Sequence, residues 1–542
     1  MIALLIAAAA ASLSPHQAHD HAPQLGKLSF DSSCAEDAQA LFVRGLGWLH
    51  SFEYEEAARS FGAAAAADPR CGIAHWGVAM SHYHPLWAPP TEEELAKGRA
   101  AVERARTAGA GSKREQDYID AIGTFYRDSD RLDHKTRALA YSAAMERLHK
   151  SYPKDDEAAV FYALSLVAVG TMDDDATFAR EKQAAAILNR ILGENAEHPG
   201  VAHYLIHSFD YPPLAELALP AAQRYAGIAP DSAHAQHMPS HIFTRLGLWD
   251  ESIRSNLKSA AASRAYAKAK GMPGAWEAQL HAMDYLAYAF LQIGQDAEAD
   301  RVLAELNAIE SVQPTTFTSA YAATAIPARL LLERRRWRDA AGLELHENVR
   351  GFLPLDKFKW GEAHILFARA VGAARSGQIA AARQELARLT AVEESLVVPP
   401  GTYDWKTQVG IERRIAEAWL AHAEGRKEES LKLMRAAADI DDATEKHPVT
   451  PGAILPAREQ LGELLLELGQ PAQALVEFEA SLKRAPKRLA GLHGAANAAR
   501  LAGDLDAARR HYEELVAMTR SAQGGRPEIL HARSMMSELA RR

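Results

Sequence analysis

Two pairs of histidines are the residues of this chain best suited to chemistry. His203 and His207 form one pair and His237 and His241 the other, and the pairs lie 34 residues apart. Within each pair the spacing is i, i+4, so on a helix both rings project from the same face. Imidazole is the commonest protein ligand for metal ions near neutral pH, because its neutral form offers a lone pair. The spacing therefore predicts a metal site shared by two neighbouring helical units.

Further candidate ligands surround these pairs. The segment from His198 to His241 contains six histidines, and His281 and Asp284 follow at i, i+3 on one predicted helix. Asp210 can be an additional ligand or can accept the N–H of a ligating imidazole. Such ligands suit divalent Zn, Cu, Ni or Fe, and the sequence does not choose among these metals. The predicted metal ligands are His203, His207, His237, His241, His281 and Asp284.

Two other interpretations of the histidines stay open. The HExxH sequence of metalloproteases is absent from both pairs, so that class of enzyme is not supported. The histidines can instead line a peptide-binding groove, for which we predict Tyr204, Asp210, His234 and Phe243 as further lining residues. They can also serve packing alone. His198 directly precedes Pro199 and His237 lies two residues before Pro239, as residues at helix starts do.

The elements that must position these histidines are helix hairpins. Residues 38–71 place small, large and proline residues at regular positions, namely Gly45, Trp48, Tyr54, Ala57, Phe61, Ala64 and Pro69. Small residues let two helices approach, aromatic residues fill the space between them, and the proline ends the second helix. Near the other end of the chain the pattern recurs at Leu461, Gly462, Leu465, Gly469, Ala474, Phe478 and Pro486. It resembles the tetratricopeptide repeat (TPR) family.

This resemblance implies an all-α fold, an α-solenoid in which antiparallel TPR-like helix hairpins stack into a right-handed superhelix. It also implies a concave groove that binds a peptide or protein partner. The segments 68–77, 198–207, 237–243 and 447–452 resemble a group of uncharacterised exported bacterial TPR proteins. No activity carries over from that group.

A glycine recurs where the two helices of a hairpin join, at Gly247, Gly294, Gly377, Gly425, Gly469 and Gly503. We expect each to adopt the left-handed conformation that ends a helix. We divide the chain into 1–22 (signal peptide and His-rich leader), 30–310 (TPR-like repeats with the histidines), 311–445 (degenerate repeats) and 446–542 (C-terminal TPR repeats). Proline-rich connectors between repeats, such as 84–90 and 447–452, can fold over the concave face.

The N-terminal sequence predicts export. Met1 to about Ala11 is apolar, has the length of a signal-peptide core and is too short to span a bilayer. No Lys or Arg precedes Lys27, so an unstructured tail is the alternative. The two cysteines are Cys34, before the first helix, and Cys71, after the second, and a disulfide between them suits an oxidising compartment. We expect a periplasmic or secreted protein whose mature form has no transmembrane segment.

The net charge and the motifs that are absent exclude several classes of function. The net charge of −9 and the lack of a basic stripe argue against nucleic acid as the main partner. No phosphate-binding loop, nucleophile elbow or dinucleotide fingerprint occurs, so the expected cofactor is either a divalent transition-metal ion or none. The first hypothesis is an exported TPR protein that binds a peptide or protein partner in its groove, with or without a His-rich metal site. The alternatives are a metal-dependent enzyme (hydrolase or oxidoreductase) and a structural assembly scaffold in the cell envelope.

Overall fold

The computed structural model describes residues 23–86, 89–173, 175–399, 402–539 and 541, and the regular secondary structure of these residues is helical apart from two strands of two residues each. The predicted signal peptide and leader, residues 1–22, lie outside the described residues. The helices that precede the histidine pairs are α1 (Glu36–His50), α2 (Tyr54–Ala67), α3 (Gly72–Met80), α4 (Glu92–Ala108), α5 (Lys113–Tyr126), α6 (His134–Ser151), α7 (Asp156–Gly170) and α8 (Ala179–Glu194).

The central elements carry the histidines. They are α9 (Pro199–Phe209), α10 (Ala215–Ile228), α11 (Ala233–His237), α12 (Pro239–Arg245), α13 (Trp249–Ala269), β1 (Ala275–Trp276), α14 (Glu277–Gln292), α15 (Asp296–Ala308) and β2 (Val312–Gln313). The two short strands pair in parallel, with Ala275 opposite Val312 and Trp276 opposite Gln313.

The remaining helices complete the solenoid. They are α16 (Phe317–Leu332), α17 (Trp337–Ala341), α18 (Glu347–Phe352), α19 (Lys359–Arg375), α20 (Ile379–Ser395), α21 (Trp405–Ala423), α22 (Lys427–Ala443), α23 (Ala457–Glu467), α24 (Pro471–Arg484), α25 (Leu489–Ala502), α26 (Leu505–Met518) and α27 (Pro527–Leu539). Most helices that follow each other in the chain pack against each other, and the fold is an all-α solenoid of TPR-like hairpins. No helix among the described residues is both long and apolar enough to cross a membrane.

The small-and-large pattern forms the hairpin contacts. A Cβ atom on Gly45 of α1 would lie 2.7 Å from the ring of Phe61 on α2, and one on Gly462 of α23 would lie 2.9 Å from the ring of Phe478 on α24. Only glycine lets these helices come so close. The hairpins predicted at 38–71 and 461–486 are therefore packed by the same contact at opposite ends of the chain.

The six predicted turn glycines all have positive φ, from 64° at Gly247 to 86° at Gly503. This confirms the expectation that each adopts the left-handed conformation, which glycine enters without steric cost. Each turn therefore reverses the chain within a few residues and sets the second helix beside the first.

The first hairpin is closed covalently. A disulfide joins Cys34 to Cys71, with their Cα atoms 4.8 Å apart. Cys34 lies before α1 and Cys71 immediately before α3, so the bond spans the first hairpin where its two ends meet.

The C-terminal repeats fold back onto the centre of the chain. The indole N–H of Trp249 donates to the backbone carbonyl of Lys487 at 2.9 Å, and Arg488 donates to the hydroxyl of Tyr288 at 2.8 Å. Farther along, Arg526 donates to the carbonyl of Leu291 at 2.8 Å. These residues are about 200 positions apart in sequence, so the solenoid curls until its last hairpins cover α13 and α14.

The histidine segment lies where two apolar cores meet. One core runs from Phe30 to Phe243 and the next from Trp249 to Ala498. Helices α9, α11 and α12 belong to the first core and α14 to the second. The polar side chains between them are thus enclosed by both.

Candidate metal centre

A first cluster of three imidazoles forms between α9 and α11. His203 and His207 lie one turn apart on α9, and His234 lies in the first turn of α11. The Nε2 atom of His203 is 3.1 Å from Nε2 of His207 and 3.1 Å from Nε2 of His234. Two nitrogens bound to one ion at 2.0–2.1 Å with tetrahedral geometry would be about 3.3 Å apart. These two separations are close to that value, and all three nitrogens lie within 4.8 Å of one another.

A backbone carbonyl on the far side of the ring fixes the tautomer of His203. Its Nδ1 atom is 2.6 Å from the backbone carbonyl of His50, which can only accept. Nδ1 therefore carries the proton and Nε2 presents a lone pair. One lone pair can accept one hydrogen bond well, yet two imidazole nitrogens converge on it. A metal ion shared by all three accounts for both approaches.

A second cluster of three imidazoles follows directly along the chain. It contains His237 at the end of α11, His241 on α12 and His281 on α14, with one nitrogen from each ring lying within 4.8 Å of the others. Pro239 interrupts the helix because it has no N–H to donate. Met238 nevertheless keeps helical angles, φ −51° and ψ −37°, so the i, i+4 geometry survives the interruption. The Nε2 atoms of His237 and His241 are 3.0 Å apart.

Both of those Nε2 atoms carry lone pairs. Nδ1 of His237 donates to Oδ1 of Asn256 at 2.6 Å, and the orientation of that amide is set because its Nδ2 donates to the carbonyl of Ser252 at 2.8 Å. Nδ1 of His241 donates to Oδ2 of Asp210 at 2.9 Å. Two neutral imidazoles thus direct lone pairs at each other across 3.0 Å. This contact is repulsive unless a metal ion or a shared proton lies between the two nitrogens.

Burial keeps the imidazoles of both clusters neutral. Loss of solvent, followed by the neighbouring imidazoles, lowers the pKa well below the ordinary value for His203, His207, His234, His237 and His281. The pKa of His241 is also lowered by burial, although Asp210 opposes the shift. Neutral imidazole is the form that binds metal ions.

Asp210 is a supporting carboxylate rather than a member of either cluster. Burial would raise its pKa, but Lys446, Arg245 and His241 together hold that pKa well below its usual range. Nε of Arg245 donates to Oδ1 at 2.8 Å, and Nζ of Lys446 lies 3.8 Å from Oδ2. A carboxylate that accepts the outer N–H of a ligating histidine orients the ring and strengthens its binding.

The two clusters are neighbours. The ring centres of His207 and His241 are 6.4 Å apart, as are those of His234 and His237. The sequence predicted that the two pairs would share one ion. In the structure each pair is completed by a third imidazole of its own, so the six histidines form two adjacent three-nitrogen sites.

The other predicted site residues have different surroundings. The carboxylate of Asp284 pairs with the buried guanidinium of Arg329, and it belongs to neither cluster. The hydroxyl of Tyr204 lies 3.0 Å from Nδ1 of His50, and Phe243 is in the apolar core. His234, which was predicted to line a groove, completes the first cluster instead. Its position three residues before His237 marks it in the sequence as a candidate ligand, but that spacing would group it with His237 rather than with the first cluster.

A third group lies behind the first cluster and was missed by sequence reasoning. Nδ1 of His198 accepts from the N–H of Val201 at 3.3 Å, so its Nε2 donates to Glu157 at 3.0 Å. Nε2 of His50 donates to the same carboxylate at 2.8 Å. Burial disfavours the charge of Glu157, but the imidazoles of His50 and His198 hold its pKa below the ordinary value. Hydrogen bonds already satisfy this group, and through His50 it supports His203.

A cavity of about 260 Å³ adjoins both clusters. His234 of the first cluster and His281 of the second line it, and each is the one histidine of its cluster that is only partly buried. The remaining wall is mostly aromatic and apolar, with Phe52, Tyr54, Leu86, Trp276, Phe317 and Val449. Molecules entering this cavity would therefore meet one histidine of each cluster.

Two carboxyl groups also line this cavity. Burial raises the pKa of Glu53 to about 7 and that of Glu277 to about 7. Oε1 of Glu53 accepts from the hydroxyl of Ser232 at 2.9 Å and from the N–H of His234 at 3.2 Å, while Glu277 accepts from the hydroxyl of Thr316. Both groups can hold or release a proton near neutral pH.

One connector contributes to the site. The loop before α23 reaches the centre through Lys446, which faces Asp210, and through Val449, which lines the cavity. Arg329 donates to the carbonyl of Gly452 at 2.6 Å and fixes this loop. A second cavity of about 110 Å³, beside Trp405 and Glu412, is lined by no histidine of either cluster.

No protein-family model matches the chain, and no curated relative matches it. Similar solved structures include a human IFIT1 dimer with m7Gppp-AAAA, at 12% identity over 91% of this chain and 97% of that one, with a TM-score of 0.37. Another is yeast Tom70, at 11% identity over 93% and 96%, with a TM-score of 0.33. Values this low carry no inference about function. What defines this protein is a TPR-like solenoid that encloses two three-histidine clusters.

Proposed function

We propose that this protein is a metal-dependent enzyme whose two three-histidine clusters each bind one transition-metal ion. The observation that carries the proposal is the 3.0 Å contact between Nε2 of His237 and Nε2 of His241. Asn256 and Asp210 hold both rings in the tautomer that leaves these nitrogens unprotonated. Such a contact is unfavourable without a cation and favourable with one.

The ligand count favours catalysis over a purely structural role. Structural metal sites are usually closed by four protein ligands, whereas catalytic sites keep three and leave a position for water or substrate. Each cluster here offers three imidazoles, and each exposes one of them to the same cavity. Zn, Cu, Ni and Fe all suit imidazole ligands.

The substrate is a molecule small enough to enter the cavity. Of the side chains predicted to line a peptide groove, Tyr204, Asp210 and Phe243 are at most 7% exposed, so a peptide could contact only His234 among them, which lines the cavity. A peptide or protein partner would have to bind elsewhere on the solenoid. The disulfide between Cys34 and Cys71 supports export to the periplasm or the medium, where such bonds persist.

Metal analysis of the purified protein tests this proposal. After removal of metal and reloading, we expect two ions per chain. His203→Ala should leave one ion, in the second cluster, and His237→Ala should leave one in the first. His364→Gln is the matched control: His364 is buried, bonds to Thr324 at 3.0 Å and belongs to neither cluster, so it should keep two ions. Folded wild-type protein that takes up no ion would refute the proposal.

A further inference from the structure

The second cavity, of about 110 Å³, contains a carboxyl group that the described part of the chain leaves without a donor. Glu412 lies on α21 and lines this cavity. Its Oε2 atom is buried and accepts no hydrogen bond from the described residues. Its Oε1 atom lies 3.8 Å from Nε2 of His364, which is beyond hydrogen-bonding distance. A buried acceptor without a donor is costly, and a ligand that donates to it removes that cost.

The imidazole of His364 cannot supply the missing donor. Its Nδ1 atom is 3.0 Å from the hydroxyl of Thr324. The one hydrogen of that hydroxyl is donated to a backbone carbonyl of the preceding turn, at 3.1 Å or 3.2 Å, so the hydroxyl oxygen accepts from Nδ1. Burial lowers the pKa of His364 to about 3, so the ring is neutral and its Nε2 directs a lone pair toward Glu412. Two acceptors thus face each other across 3.8 Å.

The charged groups around Glu412 are already paired. Arg329 faces Glu412 from α16, but its terminal nitrogens donate to Asp284, to the hydroxyl of Tyr321 and to the carbonyl of Gly452. Each basic side chain that lines the cavity lies within 4.0 Å of a carboxylate of its own: Arg245 beside Asp210 and Glu445, Arg458 beside Asp439, Asp442 and Glu477, Arg484 beside Glu445, and Lys446 beside Asp210. The other acidic residue of the wall, Asp441, accepts from the N–H of Ala457 at 3.1 Å. A donor for Glu412 must therefore come from a ligand or from solvent.

The rest of the wall suits the apolar body of a small ligand. It includes aromatic and aliphatic side chains, namely Tyr403, Trp405, Ile411, Ile415, Ile454 and Leu455. At one end the lining residues Asp442 and Arg484 keep 43% and 33% of their side chains exposed, so the cavity opens to solvent there. An apolar cavity of about 150 Å³ takes up one benzene molecule. The smaller volume here suits a short alkyl chain.

From these features we infer that the second cavity is a separate small-molecule site, which binds a short-chain organic amine as its ammonium ion. The ammonium group donates to the carboxylate of Glu412, and the alkyl chain lies against the apolar wall. An ammonium ion suits this site better than a neutral alcohol, because it supplies several donors and also balances the charge of a carboxylate that is removed from water. The site is independent of metal binding, because none of the six clustered histidines lines it.

Binding of the ammonium ion displaces a proton. Burial raises the pKa of Glu412 to about 8, although the charge of Arg329 opposes the shift. At pH 7 the unliganded carboxyl group therefore holds a proton, and it must lose that proton to become the counter-ion of the amine. The affinity for the amine should accordingly rise between pH 6 and pH 8. A neutral alcohol would leave the proton in place.

Calorimetry on the full chain at pH 7 tests this site, with butylamine as the probe and 1-butanol as the neutral control. We expect one butylamine to bind per chain and the alcohol to show no measurable binding. Titrations in two buffers with different heats of ionisation should show that about one proton is released for each amine bound. Equal binding of both probes, binding of neither, or amine binding without proton release would overturn the inference.

The variant Glu412→Gln connects the binding to this carboxyl group. Glutamine keeps the size of the side chain and removes the buried charge, so the variant should fold as stably as the wild type. We expect it to bind butylamine about 30-fold more weakly or worse, the usual loss when one partner of a buried charge pair is removed. Proton release by the wild type tests the same carboxyl group without a substitution.

The variant Glu417→Gln is the matched control. Glu417 lies on the same helix, accepts from Arg413 at 2.7 Å and does not line the cavity, so its substitution should leave the affinity unchanged. An amine bound to an ion of the histidine clusters would be insensitive to both substitutions. Equal affinities in Glu412→Gln and the wild type would therefore overturn the assignment of the amine to this cavity.

Discussion

The substitution Asp210→Asn tests how the second cluster is held. One oxygen of Asp210 accepts from Nδ1 of His241 at 2.9 Å, and the other accepts from Nε of Arg245 at 2.8 Å. An asparagine has one carbonyl oxygen, so it can keep only one of these two bonds, and its NH₂ group would face the other donor. The imidazole of His241 then loses the carboxylate that orients it, or Arg245 loses its partner.

The expected loss follows from those contacts. Removing a supporting carboxylate from a metal-ligating histidine typically lowers metal affinity about 10- to 100-fold, which corresponds to about 1.4–2.7 kcal/mol. The loss should be confined to one ion, because Asp210 bonds to His241 and the first cluster is supported by the backbone of His50. Competition with a chromophoric chelator would measure the two affinities separately.

Glu445→Gln is the matched control for this experiment. Glu445 accepts from the same guanidinium of Arg245 at 2.7 Å, so its substitution disturbs the same ion-pair network. Glu445 does not bond to a histidine of either cluster. We therefore expect the Glu445→Gln protein to bind both metal ions with the affinities of the wild type. Equal affinities in Asp210→Asn and the wild type, or equal losses in both variants, would refute the reasoning.

Three further predictions concern stability. Burial lowers the pKa of His364 to about 3 and that of His447 to about 3, so the unfolded chain binds protons below about pH 6.5 while the folded chain does not. The free energy of unfolding should therefore decrease as the pH is lowered from 8 to 5, by about 2 kcal/mol for each of these histidines. Urea unfolding that is unchanged between pH 8 and pH 5 would contradict this. Reduction of the Cys34–Cys71 bond, which closes a loop with a sequence separation of 37, should lower the free energy of unfolding by about 4 kcal/mol in the chain-entropy account. Glu157→Gln leaves one buried imidazole N–H without an acceptor and should cost about 1–3 kcal/mol, visible as a lower midpoint in thermal unfolding; an unchanged midpoint would show that the hydrogen bonds to this carboxylate add nothing.

The helical architecture could be predicted because it depends on local residues. Gly247 and Gly503 lie at turns between helices, and they adopt positive φ angles because glycine has no Cβ atom. The contact of Gly45 with Phe61 is likewise a property of one hairpin. Such features repeat along the sequence and are recognisable without knowledge of the distant parts of the chain.

The candidate site could be predicted only in part. The pairs at His203 and His237 follow from helical spacing. The third member of each cluster comes from another helix, so His234 and His281 could be assigned to a cluster only once the packing of α9, α11 and α14 was known. Asp284 lies on the same helix as His281, which is why it was predicted as a ligand. Its carboxylate instead forms an ion pair with Arg329 on α16.

The residues that support the histidines could not be predicted from the sequence either, because they come from distant helices. Glu157 and His50 are 107 positions apart and meet through the packing of α1 against the helices that follow. Asn256 reaches His237 from α13. No sequence pattern around these residues identifies them as supporting residues, because each one bonds to an imidazole that lies on a different hairpin.

Anomalous X-ray diffraction from crystals of the metal-loaded protein tests the central claim most directly. We predict two peaks per chain, one about 2.0–2.1 Å from nitrogens of His203, His207 and His234, and the other equally close to nitrogens of His237, His241 and His281. A single peak between the clusters, or ordered rings of all six histidines with no peak in loaded crystals, would contradict a centre of two ions with three imidazoles each.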